Sequence, residues 1–352
     1  MTRLTATMNA IQPAENAELG RAIRRRTDSL TKPLGSLGRL EEVMLQYGMA
    51  RGMANAKIER KAMFVLCADH GIAREGVSAY PPEVTAQMVL NFIDGGAAIN
   101  VLCRQHGIET RIVDVGVDAD LAGEPRLIHW KIARGTASFL RGPAMTEEQA
   151  VQAVQVGIEL ALDAAREGFD ILGAGEMGIG NTTAAAALIA AFTGRDAADV
   201  VGPGTGISAE RLAHKEDVVR RALALHAGSF KTPLATLAAV GGLEIGALAG
   251  LMLGAASQRL PVAVDGVISS AAALVAFKLC PAALPYLFFS HQSTEPGHSV
   301  LLEHLGVRPL LHLDLHLGEG TGAAVGIAII ESAMRLYNEM ATFESAEVSR
   351  GS

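Results

Sequence analysis

Aromatic residues are scarce in this 352-residue chain. Phe, Tyr and Trp make up 4% of it while apolar residues together reach 49%. The apolar content is therefore mostly Ala, Leu, Val and Ile, the palette of close-packed helices over a buried sheet, which favours α/β over a β-sandwich. Cysteine is also sparse. Cys67, Cys103 and Cys280 are widely spaced in apolar contexts, which excludes a disulfide framework or a metal knuckle and suits reduced thiols in the cytoplasm. Positive charge is lacking as well: the formal net charge of -7 offers no field for nucleic acid or an anionic membrane. The one dense basic run, Arg21 with Arg24, Arg25 and Arg26, has the pattern of a solvated helix face. No apolar run of signal-peptide length opens the sequence, so a cytoplasmic protein is expected. Residues 237–256 (LAAVGGLEIGALAGLMLGAA) approach the length of a membrane span, yet with their glycines and Glu244 they read as a buried helix, or a pair broken at the glycines.

What is present is a recurrence of short apolar runs, polar or glycine-rich turns and helical stretches. The runs are 61–68 (KAMFVLCA), 110–117 (TRIVDVGV), 169–174 (FDILGA), 259–264 (RLPVAV), 285–289 (PYLFF) and 311–317 (LHLDLHL). Alternating strands and helices imply a parallel, doubly wound, Rossmann-like sheet, in which ligands bind beyond the carboxyl ends of the strands. Asp69, Glu176, Asp265, Ser290, His291 and Glu319 then share one rim. Asp265 and Ser290 also suit caps for the helices that follow them. Residues 1–60 are helical in pattern and, with 325–352, are expected to form a smaller helical domain beside a catalytic α/β domain at 61–324.

The segment 175–182 (GEMGIGNT) fits the nucleotide-loop spacing G-x-x-x-x-G-K-[ST] except that Asn181 replaces the lysine. Its glycines, with Gly173 before them, let backbone N–H groups approach an anion, and a helix opening at Asn181 or Thr182 directs its positive end there. Without the lysine, and with Glu176 inside the loop, a single phosphate fits better than a triphosphate. A second loop, 201–208 (VGPGTGIS), leads into a helix capped by Ser208 and carrying Lys215. One phosphomonoester held by loop amides and Lys215 is expected. The adjacent acids that hold ribose and magnesium in transferases using pyrophosphate donors are missing, so the expectation includes no metal and no cofactor.

The segments TKPLGSLGRLE (31–41), ADHGIAREGVSAYP (68–81), GEMGIGNTT (175–183), GPGTGIS (202–208), SHQSTEPGH (290–298) and LDLHLGEGTGAA (313–324) together resemble the nicotinate-nucleotide:dimethylbenzimidazole phosphoribosyltransferase family. The resemblance implies a homodimer that moves 5-phosphoribose from nicotinate mononucleotide to 5,6-dimethylbenzimidazole or a related azole, giving α-ribazole 5′-phosphate for the lower ligand of cobalamin. It implies Glu319 as general base and Glu176 as a second catalytic carboxylate. The nucleotide would be held by Gly178, Gly180, Asn181, Thr182, Gly202, Gly204, Thr205, Gly206, Lys215 and Ser293, and the base by Ser78, Tyr80, Gln87, Met177 and Leu317.

The residue types suit this reaction. An azole that attacks through one ring nitrogen must lose its other N–H proton, which a carboxylate can accept. The pyridine nitrogen of nicotinate mononucleotide is cationic and departs neutral, so no strong acid is required. Taken alone, Glu319 fits equally an acid favoured by a helix N-terminus, worth about 0.3–1 kcal/mol. His291 and His298 read as satisfied loop histidines or as substrate hydrogen-bonding groups. Asp69 and His70 either polarise each other or form a structural turn.

Overall fold

The segment KAMFVLCA has no exposed position and forms the central strand β1, Lys61–Ala68. Its side chains divide with a period of two: Ala62, Phe64, Leu66 and Ala68 enter one apolar core, Met63, Val65 and Cys67 the other. A strand buried on both faces requires a helical layer on each, so it reads as a continuous apolar run. The computed structural model, which describes residues 2–204 and 206–349, supplies both layers. Helices Glu147–Arg166, Asn181–Thr193, Leu243–Ser257 and Val267–Leu279 bury the first core. Helices Arg39–Arg51, Val84–Asp94, Ala98–His106 and Thr321–Glu339 bury the second.

The other strands of the main sheet are β2 Glu109–Gly116, β3 Ile128–His129, β4 Ile171–Met177, β5 Val262–Val264 and β6 Leu287–Phe289. They lie in the order β3-β2-β1-β4-β5-β6 and every pairing is parallel. The chain thus winds outward in both directions from β1, and the crevice between the carboxyl ends of β1 and β4 is the topological switch point.

Two departures from the sequence pattern matter. The alternating run 311–317 is not a strand of this sheet: only β8, Leu311–His312, pairs, and it does so with β7, His291–Gln292, in a separate two-stranded sheet. Asp314 adopts φ 54°, which turns the backbone out of the extended region and leaves 313–318 as a loop. The edge strand β3 has too few residues to leave a periodic signal. The apolar stretch 237–256 is a pair of helices, Pro233–Val240 and Leu243–Ser257, parted at Gly241 and Gly242. Val84–His106 is long and apolar enough by composition to cross a membrane, but Gly95 at φ 77° divides it into two helices.

Candidate active site

The glycine loop after β4 brings the two halves of the sheet together. A Cβ on Gly178 would overlap the Ala68 carbonyl and touch the His70 ring, so only glycine lets the loop lie against the end of β1. The chain then enters helix Asn181–Thr193 directly after Gly180. Asn181 Nδ2 donates to Glu176 Oε2, fixing that carboxylate inside the loop.

Glu319 reaches the same crevice on a strained turn. Gly318, Glu319 and Gly320 have φ values of 82°, 64° and 95°, and the left-handed conformation at the glutamate costs about 1–2 kcal/mol. Asp265, at the end of β5, holds this turn. Its Oδ2 accepts the Gly320 N–H at 3.0 Å and its Oδ1 the Ala323 N–H at 3.1 Å, while His291 Nε2 lies 3.5 Å from Oδ1. Asp265 therefore caps the helix that follows Glu319, Thr321–Glu339, and not the next helix in sequence. Ser290 is no cap either; its side chain fills the space that a Cβ on Gly326 would need.

Several acids converge here. Burial pushes the Glu176 carboxyl well above the usual carboxylate range, helped by the negative charges of Asp265, Glu244 and Glu319 and opposed by the Asn181 amide. The Glu319 carboxyl is also raised, chiefly by burial and then by Asp265, against the Ile99 N–H that donates to its Oε2 at 3.4 Å. Ile99 lies in the first turn of helix Ala98–His106, so Glu319 does rest on a helix N-terminus, although not its own. The two carboxyl groups of this crevice are thus both raised, with burial as the first cause at each.

The second glycine loop lies beside a buried lysine. Lys215, on helix Ala209–His226 capped by the Ser208 hydroxyl, is 1% exposed. Its Nζ donates to Thr182 Oγ1 at 3.0 Å and to the Gly202 carbonyl at 2.9 Å. Burial lowers its pKa to about 8, with Glu295 opposing the shift. A Cβ on Gly204 (φ 56°) would stand 3.3 Å from Nζ and 3.1 Å from Thr182 Oγ1, filling the cradle.

These elements enclose a cavity of about 330 Å³. Of the residues expected from the sequence, Glu176, Met177, Gly178, Asn181, Thr182, Gly204, Ser293, Leu317, Glu319 and Tyr80 line it. Lys215, Gly180 and Gly202 stand behind the lining, and Gly206 lies farther along its loop. Ser78 accepts the Tyr80 N–H at 3.2 Å and, like the exposed Gln87, lies outside the wall. Thr205 lies outside the described residues.

The histidines divide by partner. His298 is buried, and its pKa falls to about 3 through burial and the neighbouring His291. Its Nδ1 accepts the Ser293 N–H at 2.9 Å, so Nε2 carries the proton and donates to Ser270 Oγ at 3.0 Å. Both nitrogens are used, and His298 serves to hold Ser293. His70 turns away from Asp69: its Nε2 meets Glu244 Oε1 at 2.7 Å, and Asp69 Oδ2 instead accepts the Asp118 N–H at 2.7 Å. Sequence reasoning did not single out Glu295, Gly266, Val84, Met88 or His316 as lining residues. The first stands inside the quoted SHQSTEPGH segment, and the apolar two follow the quoted 68–81 segment at helical spacing.

The same architecture occurs in characterised proteins. A family model described as phosphoribosyltransferase matches residues 11–348. The nicotinate-nucleotide--dimethylbenzimidazole phosphoribosyltransferase of Chlorobium chlorochromatii is 52% identical over 99% of this chain and 98% of its own length. That of Geobacter sulfurreducens is also 52% identical, over 100% of this chain and 99% of its own. The crystal structure of CobT from Thermus thermophilus matches with a TM-score of 0.91 at 48% identity, covering 95% of this chain and 100% of that one. Likeness of this extent spans both helical layers, the sheet and both glycine loops, and the chain belongs to the nicotinate-nucleotide--dimethylbenzimidazole phosphoribosyltransferase family.

Proposed function

We propose that the protein transfers 5-phosphoribose from nicotinate mononucleotide to 5,6-dimethylbenzimidazole, in the cytoplasm, for assembly of the cobalamin lower ligand. The observation that carries this reading is one cavity lined by the carboxyl groups of Glu176 and Glu319 and by Thr182 and Gly204, with Lys215 bonded to Thr182 behind the lining. The 5′-phosphate sits in the cradle and the ribose spans the cavity. The azole lies among Tyr80, Met177 and Leu317, while Ser78 and Gln87 stand outside the cavity wall. An azole nitrogen attacks C1′ from the face opposite the pyridinium. The C1′–N bond to nicotinate breaks with its electron pair passing to the pyridine nitrogen, and the azole N–H proton passes to Glu319. Direct displacement inverts the β-nucleotide to an α-nucleotide. Protonated Glu176 holds a ribose hydroxyl, and the phosphate grip supplies remote binding energy that aligns the reacting atoms.

Residues 1–60 with 325–352, of which 1 and 350–352 lie outside the described residues, are read as the smaller helical unit beside the catalytic part. A homodimer is supported by large apolar side chains left exposed, among them Leu90, Val101 and Trp130. The function is tested by nicotinate release from nicotinate mononucleotide: release that depends on added dimethylbenzimidazole is expected, and release indifferent to it would make the protein a glycohydrolase.

A further inference from the structure

The phosphate end of the cavity already holds an anion belonging to the chain. Glu295 precedes helix Pro296–Leu305 and is 6% exposed. Its side chain crosses to the second glycine loop, where Oε1 accepts the Gly204 N–H at 2.8 Å. Its Oε2 lies in the space that a Cβ on Gly202 would need, so the missing side chain at 202 admits the carboxylate. Lys215 Nζ stands at the same loop, bonded to the Gly202 carbonyl and facing Gly204.

One carboxylate therefore occupies an N–H donor that the cradle offers to phosphate. It does so incompletely, because among the described residues Lys215 has hydrogen bonds to Thr182 and Gly202 but no ion pair. A tetrahedral dianion can accept from the amide and contact the ammonium together, whereas the Glu295 carboxylate, fixed to the Gly204 side, acts on Lys215 only from beyond ion-pair distance. Phosphate and the Glu295 carboxylate cannot share the donor, and their like charges repel at this separation.

From this geometry we infer that Glu295 is a resident counter-anion of the nucleotide loop and a determinant of specificity for phosphate-bearing donors. A ligand with a phosphomonoester exchanges for it on the Gly204 amide, whereas a nucleoside without phosphate leaves it in place. The inference rests on the cradle assignment made under the proposed function.

The test compares binding of inorganic phosphate, nicotinate mononucleotide and nicotinate riboside to the wild type, Glu295→Gln, Glu295→Ala and Lys215→Ala by calorimetry. Glutamine keeps the acceptor for Gly204 and removes the charge. Both Glu295 variants are expected to bind phosphate and the mononucleotide about tenfold more tightly than the wild type, with riboside affinity unchanged. Phosphate affinity equal to or weaker than that of the wild type in both variants overturns the inference and makes Glu295 a support for the loop. If instead the wild type binds mononucleotide and riboside alike, and Lys215→Ala weakens neither, the cradle itself is overturned and the role of Glu295 with it.

Discussion

Asp265 contributes its side chain to a helix whose capping residue, Gly320, lies 55 residues beyond it, and through that helix it fixes Glu319. It also bears on the titration of Glu319, whose carboxyl is raised first by burial and then by the Asp265 charge. With Glu319 as the proposed base, which must be ionised to act, activity is expected to fall as pH drops through the raised value, placing the acid limb of the kcat profile above the ordinary glutamate range. Asp265→Asn removes the charge and spoils one of the two N–H contacts. The acid limb is expected to move to lower pH while the plateau falls, because the turn at 318–320 is less firmly held. A lower plateau with an unmoved limb would limit Asp265 to a mechanical role. Neither Asp265 nor Glu295 could be assigned its partner from sequence. Their acceptor atoms meet amides 55 and 91 residues away, and local spacing carries no record of contacts made by tertiary folding. Glu319 and Glu176 could be placed on glycine turns and Lys215 on a capped helix because that local geometry is encoded within a few residues, whereas the catalytic roles proposed for the two acids came from the family resemblance.

At the level of elements, the same distinction explains which strands could be read. KAMFVLCA forms β1 with the boundaries its run sets: burial on both faces makes Ala62–Ala68 continuously apolar, and the one polar residue, Lys61 at its start, is buried only by pairing with Glu331. LHLDLHL shows stricter alternation, yet only two of its residues pair, because Asp314 leaves the extended region and no main-sheet neighbour is offered to it. Alternation reports an extended chain with two unlike sides; hydrogen-bonded neighbours are a tertiary property. The scarcity of aromatics finds its counterpart in the contact between helices Glu147–Arg166 and Leu243–Ser257. There a Cβ on Gly250 would overlap the Val154 carbonyl, and one on Gly157 the Ala247 carbonyl. Backbone cannot rotate aside as a side chain can. Gly250→Ala should gain up to about 1 kcal/mol in helix propensity and lose about 1–3 kcal/mol to overpacking, occasionally more. Net destabilisation in denaturant unfolding is therefore expected, and a variant as stable as the wild type would refute this account of the close approach.

Over the whole molecule, winding outward from β1 opens one crevice where the carboxyl ends of β1, β4 and β5 can each deliver a polar turn. Concentrating Glu176, Glu244, Asp265 and Glu319 around it has a cost in stability. Glu176 has a higher pKa in the folded protein than in the unfolded chain, so its contribution is fully present below the unfolded value, about 4.3. That contribution is lost as pH rises toward the folded value. Glu176→Gln imitates the protonated acid, and the Tm of the variant is expected to gain on that of the wild type as pH is raised across this window. A constant difference would show that Glu176 is already ionised in the fold.

Glu319 is proposed to accept the azole proton in the cavity that also takes the nucleotide. This role is tested most directly by comparing kcat and nicotinate mononucleotide affinity for the wild type and Glu319→Gln with dimethylbenzimidazole present. A fall in kcat of about 10²–10⁴-fold is expected, with nucleotide affinity retained. Turnover at the wild-type rate in Glu319→Gln would contradict that role.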